Sequence, residues 1–385
     1  MSNDAAPLEA AAPPQDRYPE LLDLFVRMCE TRSPSFEERA MADLVAAELR
    51  GAGLEVEEDT SGTETGSDAG NLLARIPGPD DAPAIVFCAH LDTVPLDAPV
   101  EVERSDGAFR NSREAILGAD NKAAVAVFVE LARRLASAGE TPPVSVELLF
   151  TTCEEVALAG AKAFDTTRLR AKSGFVFDHA TAIGELITAA PTYYRVGARF
   201  HGHAAHAGIR PEDGHNAIEA AARSLAAMDL GRHDEETTSN VGTIRGGTAA
   251  NVVAERCELL LEARSLDPEK AAARVTAMVD ALTEAAAEGG CDLETDVEEL
   301  FRAYRLPASS PPVEAASAAL RAQRIEPVVR ATGGGSDAHV LSAVGIPSVN
   351  VANGTERNHE PTEAVSVWAL ETMLDVALGI VQASS

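Results

Sequence analysis

Short, almost purely apolar runs alternate with helix-length segments in this chain, and several of the runs stop abruptly on a charged side chain. No other feature constrains the fold as strongly. Residues 84–89, 144–150 and 174–177 are too uniformly apolar for strands with one wet face, so they read as strands buried on both sides. Residues 71–76 are a fourth strand. Helical spacing of Leu, Phe, Val and Ala marks 18–30, 35–52 and 121–136, and Ser35 followed by Glu38 resembles a capping box. Strands and helices alternating at these lengths imply right-handed crossovers and a mostly parallel sheet, an α/β fold.

The pattern changes near Ile187. Residues 193–201, 252–263 and 291–300 read as strands, with helices at 216–228 and 268–287, a small α+β layer inserted in the larger domain. A helix at 311–324, a strand at 348–351 and a helix at 367–381 return to the first pattern. The expected division is a loose tail at 1–16, a main domain formed from 17–187 and 302–385, and the inserted domain at 188–301. Residues 61–81 are rich in turn formers and give no clear element.

Net charge is −29, and Lys122, Lys162, Lys172 and Lys270 are the only lysines. Such a balance disfavours nucleic acid and anionic membranes as partners. It suits an ordinary acidic protein or a high-salt cytoplasm, where screening relieves self-repulsion. No apolar run is long enough for a membrane-spanning helix. Residues 1–16 lack the basic-then-apolar order of a signal peptide. Cys29, Cys88, Cys153, Cys257 and Cys291 are odd in number, scattered and free of CxxC spacing. That argues for reduced thiols in a cytoplasm over a disulfide framework or a thiolate zinc site.

The chemistry collects where strands end, which is where open α/β sheets bind ligands. His90 follows one strand, Glu154 and Glu155 another, and Asp178 a third. Asp120 opens a helix and His359 follows the last strand. Each has a plainer reading alone: a core histidine, a helix N-cap, a solvated turn. Together, two histidines and several carboxylates without cysteine suit a hydrolytic metal centre, and the number is right for two ions sharing one carboxylate.

The blocks His90-Leu91-Asp92-Thr93-Val94-Pro95 and Gly118-Ala119-Asp120-Asn121-Lys122, with Glu154-Glu155, Asp178 and His359, resemble the co-catalytic zinc metallopeptidases of the aminoacylase, carboxypeptidase and peptidase T family. The peptidase T-like branch is the most similar, and the resemblance spans about residues 18–380. It implies two divalent ions per chain, zinc first, with cobalt or manganese suiting the same donors. It assigns Asp120 as the bridging carboxylate, His90 and Asp178 to one ion, and Glu155 and His359 to the other. Glu154 becomes the general base and Asp92 the carboxylate that orients the His90 ring.

The resemblance extends to the inserted domain, which it makes a lid and homodimerisation domain. His206, in HGHAAHAG, takes the place of a histidine that stabilises the oxyanion, in its own subunit or its partner's. Asn251, Arg264, Gly334 and Ser336 take substrate-contacting places. Gly333-Gly334-Gly335-Ser336 lacks the ending of a phosphate-binding loop, so a nucleotide is not expected. The implied activity is hydrolysis of a peptide or amide bond, as an aminopeptidase on short peptides. The same centre would serve an N-acyl amino acid deacylase or a carboxypeptidase. A non-catalytic binding homologue is the alternative from another class, and the retained Glu154 speaks against it.

Overall fold

The computed structural model describes residues 16–385, so the expected tail lies outside the described residues except for Asp16. A nine-stranded sheet forms the centre of the main domain. Four adjacent strands run parallel: Ser145–Thr151, Ala84–His90, Ser173–His179 and Ser348–Ala352. Antiparallel strands flank them, Leu72–Ile76 and Val56–Glu58 on one side and Glu185–Ala190 on the other. Beyond Glu185–Ala190, Tyr304–Arg305 pairs antiparallel and Val328–Ala331 parallel. The expected parallel character therefore describes the middle of the sheet. Its edges add Glu185–Ala190 and Val328–Ala331, which the sequence did not mark as strands. The second of these is exposed throughout and carries no buried-strand signal.

All seven residues of Ala84–His90 are buried, as a strand covered on both faces requires. Helix Ala119–Ser137 covers one face and buries every residue from Ala119 to Ala132. A helix apolar all round belongs inside a protein. Phe87 joins an aromatic cluster between sheet and helix: the ring centroid of Phe128 on the helix lies 5.1 Å away, and those of Phe175 and Phe177 on the neighbouring strand 5.5 Å and 6.1 Å. Pro19–Glu30, Arg39–Gly51, Pro311–Ala322 and Val367–Ala383 belong to the same layer.

The second sheet is antiparallel and is built wholly from residues 192–301. Its order is Gly231–Arg232, Thr237–Gly246, Arg256–Ser265, Thr192–His201, Asp292–Phe301. Helices Ala217–Ala227 and Pro268–Glu288 cover one face, where Met278 and Leu282 of the second helix join Val196, Phe200, Leu259 and Leu261 of the sheet in one core. Thr237–Gly246 was not expected. It is a polar, largely exposed strand without strict alternation, so periodicity misses it. The strand expected from Val252 starts at Arg256, because Val252–Val253 instead join the loop 203–217, with Val253 N–H donating to Ala205 O at 2.9 Å. A small third sheet joins Val102–Ser105 and Ala108–Asn111 to Ala364–Ser366 and Thr355–Glu356.

The capping box is not formed. The helix expected from Ser35 begins at Arg39, and Glu38 turns inward instead of capping. Among the described residues no helix is long and apolar enough to cross a membrane.

Phe87 is fully buried at the crossing of sheet and helix. Phe87→Ala should lower unfolding free energy by about 3–5 kcal/mol, as large-to-small changes in cores do. Urea denaturation followed by far-UV circular dichroism checks it.

Candidate metal centre

The parallel register brings the expected ligands to one edge. His90 is paired with Thr151 at the ends of neighbouring strands. Asp178 lies one residue before the end of Ser173–His179. Glu154 and Glu155 follow Ser145–Thr151 in a tight loop in which Cys153, Ala157 and Leu158 have φ of 51°, 58° and 62°. Asp120 stands in the first turn of its helix but leaves helical geometry, at φ −81° and ψ 104°. His359 reaches in from the loop after Thr355–Glu356.

These side chains converge. His90 Nε2 lies 3.3 Å from Asp120 Oδ1 and 3.7 Å from Asp178 Oδ1. His359 Nε2 lies 3.2 Å from Asp120 Oδ2 and 2.9 Å from Glu155 Oε1. Asp120 thus faces both histidines. Donor atoms of His90, Glu154 and Asp178 lie within 4.8 Å of one another, as do those of His90, Asp120 and Glu155. The main-chain oxygen of Asp92 is 2.9 Å from His90 Nδ1. A proton donated there leaves Nε2 free to bind a metal.

Asp92 does more than face His90. Its Oδ1 accepts the Glu154 N–H at 2.9 Å and its Oδ2 accepts the Glu155 N–H at 3.2 Å. Ser35 Oγ donates to the same Oδ2 at 2.7 Å, which is what Ser35 does in place of capping. Glu38 accepts from Cys153 N at 3.0 Å and from Ser67 Oγ at 2.6 Å, so it braces the residue before the glutamate pair. Glu363 accepts from Gly118 N at 2.7 Å and from Asp120 N at 2.9 Å. The sequence reading gave no part to Ser35 in the site, to Glu38 or to Glu363. A polar residue that folds inward from a distant segment leaves no local pattern: Glu38 stands between Glu37 and Arg39, and Glu363 follows Glu360-Pro361-Thr362, so neither stands out along the chain.

Electrostatics explain what the cluster lacks. Five carboxyl groups (Asp92, Asp120, Glu154, Glu155 and Asp178) surround two imidazoles. Asp120 Oδ1 is buried and makes no hydrogen bond. Burial pushes the Asp178 carboxyl up to about 8, with Asp120 adding repulsion and His90 opposing it. Burial and Asp178 raise Glu154 well above the usual carboxylate range. His359 is raised to about 10 by Asp120 and Glu155. For His90 burial works against the charged ring, yet Asp120, Asp178 and Asp92 outweigh it and hold the ring's pKa well above the ordinary value. Buried negative groups in such excess call for cations. An oxygen- and nitrogen-only donor set with an orphaned carboxylate oxygen fits divalent metal ions.

A cavity of about 850 Å³ opens over the cluster. Asp120, Glu154, Glu155, Asp178 and His359 form its floor, and residues of the second sheet form a wall. Arg264 stands in that wall. Its Nη1 donates to Gly333 O at 2.9 Å, its Nη2 meets Glu262 Oε2 at 3.0 Å, and its guanidinium lies 4.0 Å from the Tyr193 ring centroid. Its Nε is buried without a partner. Arg195 also lines the cavity, paired to Glu298 at 2.6 Å, and so does Lys162. Gly334 lines the cavity; Ser336 is buried behind it, its N–H directed at His339 Nδ1 at 3.3 Å. His206 and Asn251 do not line it. They sit together on an exposed loop of the inserted domain, joined by Ala207 N–H to Asn251 O at 3.0 Å.

A carboxylate and histidine cluster at the carboxyl edge of a parallel sheet, walled by a second α+β layer, defines a metallopeptidase. The comparisons agree. A model described as Peptidase family M28 matches residues 71–204, and one described as Peptidase dimerisation domain matches 192–290. The uncharacterized protein YqjE of Bacillus subtilis is 34% identical over 362 residues, which are 94% of this chain and 97% of that protein. The crystal structure of the aminopeptidase PepT from Bacillus cereus is 34% identical, covers 96% of this chain and 99% of its own, and superposes with TM-score 0.86. A tripeptidase from Staphylococcus aureus is 29% identical over 95% of this chain and 98% of its own, with TM-score 0.90. The chain belongs to the co-catalytic metallopeptidase family of the aminoacylases, carboxypeptidases and peptidase T, and is most like its peptidase T-like branch. It is a metal-dependent hydrolase of peptide or amide bonds.

Protons and metal compete for these donors. Without metal, His359 keeps its proton to about pH 10 and Asp178 to about pH 8. Metal binding must displace them, so apparent affinity should rise steeply with pH up to about 8 and more gently from there to about 10. Calorimetry in buffers of different ionisation enthalpy should record proton release on binding; a pH-independent affinity would contradict the assignment.

Proposed function

We propose that this chain is an aminopeptidase that releases N-terminal residues from short peptides. The observation that carries the reading is the convergence of Asp120, Glu154, Glu155, Asp178 and His359 on the floor of one cavity, with His90 buried directly against Asp120 and Asp178. In this reading His90 and Asp178 hold one divalent ion, Glu155 and His359 the other, and Asp120 both. The ions are zinc, with cobalt and manganese compatible with the same donors. When bound they supply Lewis acidity toward water and toward the scissile carbonyl.

Glu154 takes the proton from the attacking water and passes it to the leaving amine. The division of labour between the two glutamates follows the family resemblance. Asp92 fixes the backbone of both glutamates and the His90 ring together, so donor and base keep their spacing.

The cavity is electrostatically polar end to end. Its floor is rich in carboxyl groups, which suits a free α-amine, and Arg264 and Arg195, the latter paired to Glu298, stand in the wall from the second sheet, which suits a carboxylate; Lys162 also lines the cavity. A short peptide with both termini free spans the two. The Arg264 guanidinium in that wall suits a carboxylate-bearing substrate in particular. An N-acyl amino acid also carries that carboxylate, so deacylation is the second reading.

His206 and Asn251 belong to the same proposal as groups delivered across a homodimer formed by the inserted domain. Their exposure outside the cavity of their own chain supports this, and Ile209, Ile218, Ile244 and Val252 are exposed in the same domain. The domain limits 188–301 go with it. Five free, buried cysteines fit work in a reducing cytoplasm.

Glu154→Gln should cut turnover by roughly 10²–10⁴-fold while metal content stays at the wild-type level, since the group acts on a proton. His206→Ala should lower turnover more than metal content. Tripeptides, dipeptides, N-acetyl amino acids and C-terminally blocked peptides, assayed before and after chelation, decide the substrate. Chelator-sensitive release of N-terminal residues from free tripeptides is expected; a preference for N-acetyl amino acids would move the enzyme to deacylation.

A further inference from the structure

Asp120 and His359 come from opposite ends of the main domain, so nothing local in the sequence sets the distance between them. We propose that Glu363 is a positioning residue for the metal centre: its carboxylate grips the backbone under Asp120 while its own segment carries His359. The inference rests on the reading above, in which both Asp120 and His359 bind metal.

Glu363 is 1% exposed, and both of its oxygens are occupied. Oε2 accepts the Gly118 N–H at 2.7 Å and Oε1 accepts the Asp120 N–H at 2.9 Å, across 243 residues of chain in the second case. Hydrogen bonds to a carboxylate are the stronger kind. The two amides need this partner. Both stand at a helix start, where N–H groups have no intrahelical acceptor. Asp120 and Asn121 also leave helical geometry, so the helix itself does not fix the Asp120 side chain. Gly118 has φ 76°, and a Cβ there would lie 3.3 Å from Thr93 Cγ2, which leaves the loop little freedom to take another path.

The other end of the clamp is equally fixed. Glu363 N–H donates to Glu360 O at 3.0 Å, and Glu360 N–H donates to Arg357 O at 3.1 Å, closing the turn that holds His359 at φ 67°. Immediately after Glu363, strand Ala364–Ser366 pairs with Ala108–Asn111, with Ala364 opposite Arg110. One short segment therefore presents a histidine ligand at one point and holds the loop of a carboxylate ligand at another. His359 Nε2 and Asp120 Oδ2 meet at 3.2 Å as a result. Among the described residues Glu363 makes no direct ion pair; the buried Lys122 ammonium nearby attracts it without contacting it, and its two oxygens are spent on backbone amides instead. A closure needed only for packing would be served by an apolar side chain. A two-pronged acceptor aimed at one ligand's backbone is explained by the precision a two-ion centre needs.

The test uses full-length wild type, Glu363→Gln and Glu363→Ala, stripped of metal and titrated with zinc against a chromophoric chelator. Thermal unfolding of each metal-free protein is measured alongside. Wild type should take up two ions. Glu363→Ala should weaken binding of both ions, because Asp120 serves both, and of the second ion, which also depends on His359, the more so, by roughly 10–100-fold, the usual cost of losing a group that orients a ligand. Glu363→Gln, which retains one acceptor oxygen, should fall between. With saturating zinc, kcat should drop while KM stays within about twofold, the pattern of misplaced reacting groups with binding intact.

Two ions bound by Glu363→Ala with unchanged affinities would overturn the proposal. So would equal loss of both ions accompanied by a lower melting temperature of the metal-free protein, which would make Glu363 a fold-stabilising residue. If Glu363→Ala does not fold, Glu363→Gln decides, and unchanged affinity for the second ion in that variant overturns the proposal. A wild-type chain that binds no ion refutes the metal-site reading itself, and this proposal with it.

Discussion

The parallel register of four buried strands is the constraint on which the rest depends. Because Ala84–His90 runs alongside Ser145–Thr151 and Ser173–His179 in the same direction, their carboxyl ends share one edge. Three chain segments far apart in sequence then deliver His90, Glu154-Glu155 and Asp178 to the same place. An antiparallel arrangement would have sent every second group to the far side. The aromatic contacts around Phe87 hold the strands and the covering helix in that relation.

Gathering five carboxyl groups in one place is unfavourable, and the surrounding structure shows how that cost is met. Backbone amides are turned toward the carboxylates that stand behind the site: Glu154 and Glu155 toward Asp92, Cys153 toward Glu38, Gly118 and Asp120 toward Glu363. The carboxylates at the front lack such partners and face one another or a histidine. The division separates two jobs. Satisfied carboxylates fix loops, and unsatisfied ones are left for cations.

The inserted domain completes the site from above. Its sheet supplies Tyr193, Arg195, Arg264 and Phe301 to the cavity wall, and Arg264 ties that wall to the glycine loop through Gly333 O. Gly335 belongs there for a steric reason, since a Cβ would lie 2.5 Å from Phe301 Cζ. The floor is rich in carboxyl groups, while the wall carries Arg195 and Arg264 together with their partners Glu298 and Glu262.

Much of this was legible in the sequence. Buried parallel strands announce themselves as unbroken apolar runs, and charges at their ends stand out because the preceding residues are so uniform. Those two signals sufficed for the α/β centre and for His90, Asp120, Glu154, Glu155, Asp178 and His359 as one group. The weakly patterned strands Thr237–Gly246 and Val328–Ala331 escaped, because edge strands with exposed polar faces carry little periodicity. Ser35 and Glu38 were misread as a helix cap, since a capping box and a pair of inward-facing polar residues look the same over four positions. Only the tertiary structure decided that Ser35 serves Asp92, that Glu363 serves Asp120, and that His206 and Asn251 stand outside the cavity of their own chain. The physical reason is range: hydrophobic period and strand-end charge are written along the chain, whereas a hydrogen bond between segments hundreds of residues apart exists only once the sheet has brought them together.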